Sequence, residues 1–198
     1  MIPCPHFTLL EDSNWSYAPR THRNAAADAT LAYAADFTTR GEILTAKAAG
    51  SKILQVAVGT PASVAAERLI AHLDVLNAKS LNVAGNGIYS LSQHYPHIPP
   101  ALLQSKLDYY VLRVLTLVNA GHPLQELHAG GQTGVDESGI KAGLALGIPT
   151  TALLPKGFRM RTAEGKDITR TFEAAWNRFV GPAQRVAPPQ AGAHTSAR

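Results

Sequence analysis

Short and almost uninterrupted apolar runs alternate with longer stretches of helical periodicity along most of this chain. Turns rich in Gly, Pro and Thr separate the two kinds of segment. Continuous apolar strands of this length are typical of a parallel sheet that helices cover on both faces. The pattern therefore predicts an α/β fold with a mainly parallel sheet of about five or more strands. The predicted strands are 29–34 (ATLAYA), 53–58 (ILQVAV), 80–84 (SLNVA), 126–129 (ELHA) and 149–154 (PTTALL).

The stretches between these runs carry apolar residues at helical spacing, which predicts helices between the strands. Proline is favoured in the first turn of a helix, and glycine just after the last turn. These signals predict helices that begin at Pro61, that extend from Pro99 to about Gly121, that span 134–146, and that span about 169–180 with Asp167 or Thr169 as the cap.

The composition divides the chain into three parts. Residues 1–28 show no regular period but contain aromatic residues such as Trp15, so an arm that packs on the domain is predicted. Residues 29–180 hold the alternating pattern and form a single predicted domain. Residues 181–198 are rich in Pro, Ala and Gly, and too few apolar side chains are present to offset the entropy of ordering. A disordered tail is predicted there.

Overall composition excludes several classes of protein. The chain has 198 residues, 45% of them hydrophobic, and its mean hydropathy of −0.04 without a long apolar run predicts no membrane span. Cys4 is the only cysteine, which excludes an internal disulfide framework and a Cys-rich metal site and fits a reducing compartment. The N-terminus lacks a basic segment followed by an apolar one, so we expect no secretory signal and a cytoplasmic location.

The densest chemical signal is the run LHAGGQTGVD at 127–136. An apolar strand enters a glycine-rich turn, and a helix begins directly after it. Glycines allow the backbone to approach a ligand, and the unpaired N–H groups of a helix start bind anions such as phosphate. The run is neither the GxGxxG dinucleotide fingerprint nor a Walker A sequence, and a tight turn without a ligand is the alternative. The predicted phosphate contacts are Gly130, Gly131, Gln132, Thr133 and Gly134.

Two further polar, glycine-containing turns follow other predicted strands, at 36–41 and 82–87. Turns that follow parallel strands meet at the carboxyl edge of the sheet, where open α/β folds bind their ligands. The three turns together therefore predict a ligand site at this edge, although helix capping alone uses the same residue types. The added ligand-binding candidates are Thr38, Thr39, Arg40, Gly41, Gly85 and Asn86.

A basic segment follows the last predicted strand. Residues 156–170 contain five basic and two acidic residues, which is a net charge of +3. The whole of 29–180 also has a net charge of +3, and the full chain has +4. We predict that Lys156 and Arg159 pair with the charge of a phosphorylated ligand, with a solvated surface loop as the alternative. Aromatic residues do not interleave with this segment apart from Phe158, which disfavours a nucleic-acid track.

Two carboxylates follow the glycine-rich turn and are the catalytic candidates. A carboxylate repels a neighbouring phosphate, so Asp136 is expected to cap the helix, to accept from a ribose hydroxyl or to hold a divalent ion. Glu137 is the candidate general base, with stabilisation of the helix dipole as its alternative. The histidines show no metal-ligand spacing, so they are expected to be structural and no metal site is predicted.

Several of these stretches resemble a known group of proteins. The segment from AGGQTGVD to PKG at 129–157 resembles the signature of the molybdenum carrier family, within the SLOG (LOG/DprA-like) Rossmannoid superfamily. The stretches RTHRNAAADATLAYA, TTRGEILT and SLNVAGNG are similar to later parts of the same family. Here they precede GGQTGVD, so the resemblance implies a circularly permuted arrangement over about 20–170.

The resemblance implies a Rossmann-like three-layer sandwich that binds a nucleotide or a nucleotide-like phosphorylated cofactor, commonly as a dimeric or tetrameric homo-oligomer. The Pro-Gly-Gly-x-Gly-Thr motif of the related phosphoribohydrolases is replaced here by GGQTG at 130–134. A molybdenum cofactor enters only through the family label, because no cluster of soft ligands is present. Three functions stay open: a carrier, sensor or sequestering protein for such a ligand, a nucleotide N-glycoside hydrolase, and, least expected, a single-stranded nucleic-acid binder.

Overall fold

The computed structural model describes residues 6–181 of the chain. Within this range, a six-stranded sheet with only parallel neighbours forms the centre of the molecule. Its strands are β1 (Phe7–Glu11), β2 (Ala29–Ala34), β3 (Ile53–Ala57), β4 (Ser80–Gly85), β5 (Glu126–Ala129) and β6 (Thr150–Leu154). They lie in the order β1–β6–β5–β4–β2–β3, which confirms the predicted α/β fold with a parallel sheet.

Helices connect these strands and cover both faces of the sheet. They are α1 (Tyr17–Asn24), α2 (Arg40–Ala49), α3 (Ala62–Leu76), α4 (Ile88–His94), α5 (Pro100–Gly121), α6 (Val135–Leu146) and α7 (Phe172–Val180). Because parallel crossovers are right-handed, steps in opposite directions along the sheet place their helices on opposite faces. Helices α3, α5, α6 and α7 share one face, and α1 and α2 share the other, which gives a Rossmann-like three-layer sandwich. No helix within the described range is both long and apolar enough to cross a bilayer.

The N-terminal segment is more regular than the predicted arm. Strand β1 pairs with β6 along its whole length, from Phe7 beside Thr150 to Glu11 beside Leu154, and α1 then packs against α2. Strand β1 mixes apolar with polar residues, and α1 is mainly polar and contains Pro19, so neither leaves a clear apolar pattern in the sequence. Residues 1–5 and 182–198, where the disordered tail is predicted, lie outside the described residues.

Two groups of buried apolar side chains hold the helices to the sheet. The larger group joins α3 and α5 to β2, β4 and β5 through residues such as Leu69 and Leu115. The smaller group joins β1 and β6 to α7, where the ring of Phe7 lies 4.9 Å from Trp176 and 6.1 Å from Phe179. Close packing of this kind gives the turns at the carboxyl edge a rigid base.

The basic segment after β6 contains a small antiparallel hairpin of β7 (Met160–Arg161) and β8 (Asp167–Ile168). Helix α7 begins after Thr171, whose hydroxyl oxygen accepts a backbone N–H from the first turn. The predicted caps Asp167 and Thr169 are therefore wrong, because β8 includes Asp167 and the helix starts later.

Replacement of Gly134 tests the tight contact at the carboxyl edge. Its φ is +107°, and an added Cβ lies 2.6 Å from the carbonyl oxygen of Asn86, whereas Gly147 has φ +69° with nothing within 4 Å of such a Cβ. We expect Gly147→Ala to lower the free energy of unfolding by about 1 kcal/mol through backbone strain, and Gly134→Ala by about 3 kcal/mol through strain plus overlap. Urea unfolding measures both values, and equal losses would contradict the close contact.

Candidate functional site

The turns after β4 and β5 cross at the carboxyl edge of the sheet. The N–H of Ile88 donates to the carbonyl of Thr133 at 2.9 Å, and the N–H of Val135 donates to the carbonyl of Asn86 at 3.3 Å. Gly134 lies between these bonds, where its missing side chain permits the crossing. Two of the three turns predicted to carry the site are thereby fixed against each other.

The carboxylate of Asp136 is buried against the glycine-rich turn, beside Gly130. Nη1 of Arg20 lies 3.3 Å from its Oδ2, and the backbone N–H groups of Gln132 and Gly130 also favour its charged form. Burial raises the pKa of Asp136, against the opposing effects of Arg20 and the two N–H groups. Gly130 is needed here because a Cβ at this position would overlap the guanidinium of Arg20.

Two other N–H groups at the start of α6 also have internal acceptors. The N–H of Gly134 donates to Oε1 of Gln104 at 2.7 Å, and the N–H of Glu137 donates to the carbonyl of Gln132 at 3.0 Å. These two bonds use donors that a phosphate would need. Phosphate binding by this turn stays a prediction, and the structure gives the turn a scaffolding role.

Two glycines of the predicted site allow close packing of the backbone. A Cβ on Gly85 would overlap the carbonyl of Tyr33 on the neighbouring strand β2. Gly131 has φ +69°, and a Cβ there would overlap the side chain of Leu154. Both positions therefore have a structural reason to be glycine that does not depend on a ligand.

The side chains of Gln132 and Thr133 attach the β7–β8 hairpin to the glycine-rich turn. Nε2 of Gln132 donates to the carbonyl of Arg159 at 3.2 Å, and its Oε1 accepts the N–H of Arg161 at 2.9 Å. The hydroxyl of Thr133 donates to the carbonyl of Arg161 at 2.7 Å. The basic segment thus lies beside the turn, and its position depends on these two polar residues.

Asn86 joins the turn after β4 to the turn after β2. Its Oδ1 accepts the N–H groups of Ala35 and Asp36 at 2.8 and 3.0 Å, and its Nδ2 lies 3.3 Å from Oε1 of Glu42. Thr38 donates to Asp36 through its hydroxyl at 2.6 Å and its N–H at 2.7 Å, and these bonds lower the pKa of Asp36. Asn86 and Thr38 are therefore parts of one hydrogen-bonded edge, as well as ligand-binding candidates.

Glu42 is a buried carboxyl group at the point where the turns meet. Burial, followed by the nearby negative charge of Asp136, raises the pKa of Glu42 to about 7. Its Oε1 has Asn86 as a partner, whereas its buried Oε2 has no hydrogen-bond partner among residues 6–181. Nε of the buried Arg20 also has no hydrogen-bond partner within that range. We call Arg20, Glu42, Asn86 and Asp136 the edge cluster.

The first turn of α2 has free donors at the protein surface. Thr39 caps the helix through its hydroxyl oxygen, which accepts the N–H of Glu42 at 3.3 Å. The N–H groups of Arg40 and Gly41 have no acceptor within the described chain, and both residues are exposed. A helix start with free N–H groups and an exposed cation attracts anions. This turn therefore keeps exposed donors of the kind that a phosphate requires.

The cations after β6 lie against aromatic rings. Lys156 Nζ lies 5.9 Å from the ring centroid of Trp15, the guanidinium of Arg159 lies 5.5 Å from that of Tyr17, and Arg161 lies 5.6 Å from that of Tyr89. Within the segment itself Phe158 is the one aromatic residue, and distant parts of the chain supply these other rings. Arg159 also pairs with Asp167 at 2.6 Å, so part of its charge is neutralised internally.

Glu137 lies in a different network from the edge cluster. Its carboxylate contacts Nζ of Lys141 at 2.7 Å and Nη2 of Arg178 at 2.7 Å, and its side chain is 3% exposed. Lys141 also contacts Asp108 at 2.7 Å. Glu137 thus joins α6 to α7 and, through Lys141, to α5 by ion pairs, and its role as a general base stays a prediction.

Among residues 6–181, no group of three or more His, Cys, Asp or Glu side chains is arranged to hold a metal ion. Searches with protein-family models, curated proteins and solved structures gave no match to this chain. The resemblance of the sequence to the molybdenum carrier family therefore stays a prediction, and the site is argued from its own chemistry.

Sequence reasoning missed Arg20 and Glu42. Arg20 belongs to the stretch RTHRN, one of those that resemble the molybdenum carrier family, but it lies in the segment interpreted as an arm. Glu42 directly follows the predicted residues Arg40 and Gly41. An acidic residue in the first turn of a helix is ordinarily a stabilising surface charge, so its burial was invisible without the fold.

The raised pKa of Glu42 predicts a specific pH dependence of stability. The folded state holds this proton up to about pH 7, whereas the unfolded chain releases it near 4.5. The folded state therefore binds more protons between these values, and the stability due to Glu42 falls as pH rises through that window, by up to about 3 kcal/mol. We expect the Glu42→Gln variant to lack this fall in unfolding free energy with rising pH.

Urea unfolding of the wild type and of Glu42→Gln at pH 5, 6, 7 and 8 measures the effect. The difference between the two proteins isolates Glu42, because the other titrating groups are common to both. A difference in unfolding free energy that is constant over this range would contradict the burial of an ionisable Glu42 at the edge.

Proposed function

We propose that this protein binds a nucleotide or a nucleotide-derived phosphorylated small molecule at the carboxyl edge of its sheet, as a carrier, sensor or sequestering protein. The supporting observation is that free N–H groups of Arg40 and Gly41 lie next to Glu42, a buried carboxyl group with an unpartnered oxygen. Buried polar atoms without partners are rare in folded proteins and call for an explanation. A bound ligand supplies one.

The position of this group in the sheet favours a ligand. The chain passes from β2 to β3 on one side of the sheet, and from β4 to β5 on the other side. The connections that leave β2 and β4 therefore run in opposite directions, which makes the boundary between these two strands the topological switch point. Open α/β sheets bind ligands at such points. Asn86 bridges the two sides of this gap.

Each part of the proposed ligand has a matching protein group. The phosphate accepts the N–H groups of Arg40 and Gly41 and pairs with the exposed side chain of Arg40. The hydroxylated or nitrogen-containing part lies toward Glu42, whose protonated carboxyl donates one hydrogen bond near neutral pH. Arg20 offers its unpartnered Nε on the same side.

Lys156 and Arg159 are secondary in this proposal, because aromatic rings and Asp167 already engage them. They remain candidates for a distal phosphate. The proposed cytoplasmic location and the dimeric or tetrameric assembly rest on the sequence alone.

Two substitutions of Arg40 test the phosphate position. Arg40→Ala removes the side-chain charge and keeps the N–H, whereas Arg40→Pro also removes the N–H at a helix position where proline is favoured. Thr39 has φ −64° and ψ 151°, which a following proline tolerates. We expect AMP affinity to fall several-fold in Arg40→Ala and about tenfold further in Arg40→Pro, because hydrogen bonds to charged groups are worth about 1.5–3 kcal/mol.

Isothermal titration calorimetry of each protein with AMP and with adenosine gives these affinities. Adenosine lacks the phosphate, so its weaker binding is expected to be equal in both variants. Failure of millimolar AMP to bind the wild type, or equal affinities of the two variants for AMP, would contradict the proposal.

A nucleotide N-glycoside hydrolase is the second candidate, and the pKa of Glu42 favours it. A carboxyl group with a pKa of about 7 is suited to proton transfer at neutral pH, here to the departing base while water adds to the anomeric carbon. We expect Glu42→Gln to abolish the release of adenine from AMP and Glu137→Gln to retain it, as followed by chromatography. Absence of release by the wild type, or equal loss in both variants, would remove this candidate.

A further inference from the structure

A cavity of about 500 Å³ lies on the α5 and α6 face of the sheet, on the other side of the glycine-rich turn from α2. The first turns of α5, one side of α6 and the β7–β8 hairpin form its walls. This volume is within the range of small-molecule sites. Thr133 and Arg161 contribute to its lining, so it adjoins the turn without containing the edge cluster.

The basic residues in the cavity wall differ in how far they are neutralised. Lys141 and Arg178 have Glu137 as a shared partner, and Lys141 also has Asp108. Arg170 forms no ion pair with any residue in 6–181, and its buried Nε has no hydrogen-bond partner there.

Arg161 is the second available cation of the wall. Its side chain is 50% exposed, and its Nε lies 3.7 Å from Asp167, a carboxylate that contacts Arg159 more closely at 2.6 Å. The start of α5, at Pro100 and Ala101, also faces this cavity, and a helix start favours negative charge. An anion is therefore the ligand that the wall would stabilise.

The remaining lining suits a small hydroxylated molecule. Asp108 is partly exposed and keeps acceptor capacity beyond its bonds to Gln104, Ser138 and Lys141. Apolar side chains of Ile88, Met160 and Ile168 complete the wall. The lining thus combines four cations, the two carboxylates of Asp108 and Glu164, and an apolar surface. Such a mixture with a surplus of cations fits a sugar phosphate better than a bare ion.

We propose that this cavity is a second ligand site, separate from the edge cluster, and that it binds the phosphate ester of a small hydroxylated molecule. Arg170 and Arg161 pair with the phosphate, and Asp108 accepts a hydroxyl group of the ligand. The proposal does not depend on the function proposed for the carboxyl edge, because the two sites use different cations.

Calorimetric titration with ribose 5-phosphate tests the site, with ribose and inorganic phosphate as separate probes. We expect Arg170→Ala to weaken ribose 5-phosphate binding at least about tenfold and Arg161→Ala several-fold, since both remove a cation that pairs with phosphate. Lys166→Ala is the matched control, because Lys166 is an exposed cation of the same hairpin outside the cavity lining. It is expected to leave the affinity within about twofold.

The Arg40→Pro variant distinguishes the two sites. Unchanged binding of ribose 5-phosphate in Arg40→Pro, with loss in Arg170→Ala, supports the cavity even if AMP fails to bind at α2. The proposal is overturned if Arg40→Pro loses ribose 5-phosphate binding while Arg170→Ala and Arg161→Ala retain it. It is also overturned if Arg170→Ala and Lys166→Ala lose affinity for ribose 5-phosphate equally. Binding of ribose or inorganic phosphate as tight as that of ribose 5-phosphate, or no binding of any probe to the wild type, also overturns it. Far-UV circular dichroism confirms that each variant is folded.

Discussion

The burial of the Asp136 carboxylate is the constraint on which the carboxyl edge depends. A buried carboxylate needs compensating partners, and Asp136 has the guanidinium of Arg20 with Nη1 at 3.3 Å from its Oδ2. This arrangement holds α1 against the start of α6. Two N–H groups at this helix start, those of Gly134 and Glu137, already donate to Gln104 and to the carbonyl of Gln132. Exposed free donors remain at a different helix, α2, where one oxygen of Glu42 has no hydrogen-bond partner within residues 6–181.

The starts of α6 and α2 carry glycine for different structural reasons. In the turn before α6, Gly130 and Gly134 make room for Arg20 and for the crossing turn after β4. At the start of α2, Gly41 is exposed and lies next to open space, as a site for an incoming ligand requires. The first turn is thus a scaffold that positions the second. The cavity on the opposite face depends on the same scaffold, because Gln132 and Thr133 hold the hairpin that forms its wall.

The fold was predictable from the sequence because the internal strands are short and mainly apolar, and helices between such strands leave few arrangements open. The location of the polar turns at one edge followed from the same argument. The partners within that edge did not follow. Arg20 reaches Asp136 across 116 positions of sequence, and the rings of Trp15 and Tyr17 meet cations near position 159. Contacts of this separation depend on where β1 and α1 dock, and the composition of those elements leaves no clear apolar pattern.

Nuclear magnetic resonance of the ¹⁵N-labelled protein during titration with AMP tests the central claim most directly. The account predicts that the amide resonances of Arg40 and Gly41 shift in proportion to bound ligand. Those of Gly134 and Glu137 are expected to stay in place, because Gln104 and the carbonyl of Gln132 already accept their N–H groups. Large shifts across 130–137 with none at Arg40 and Gly41 would contradict the account and return the phosphate to the glycine-rich turn.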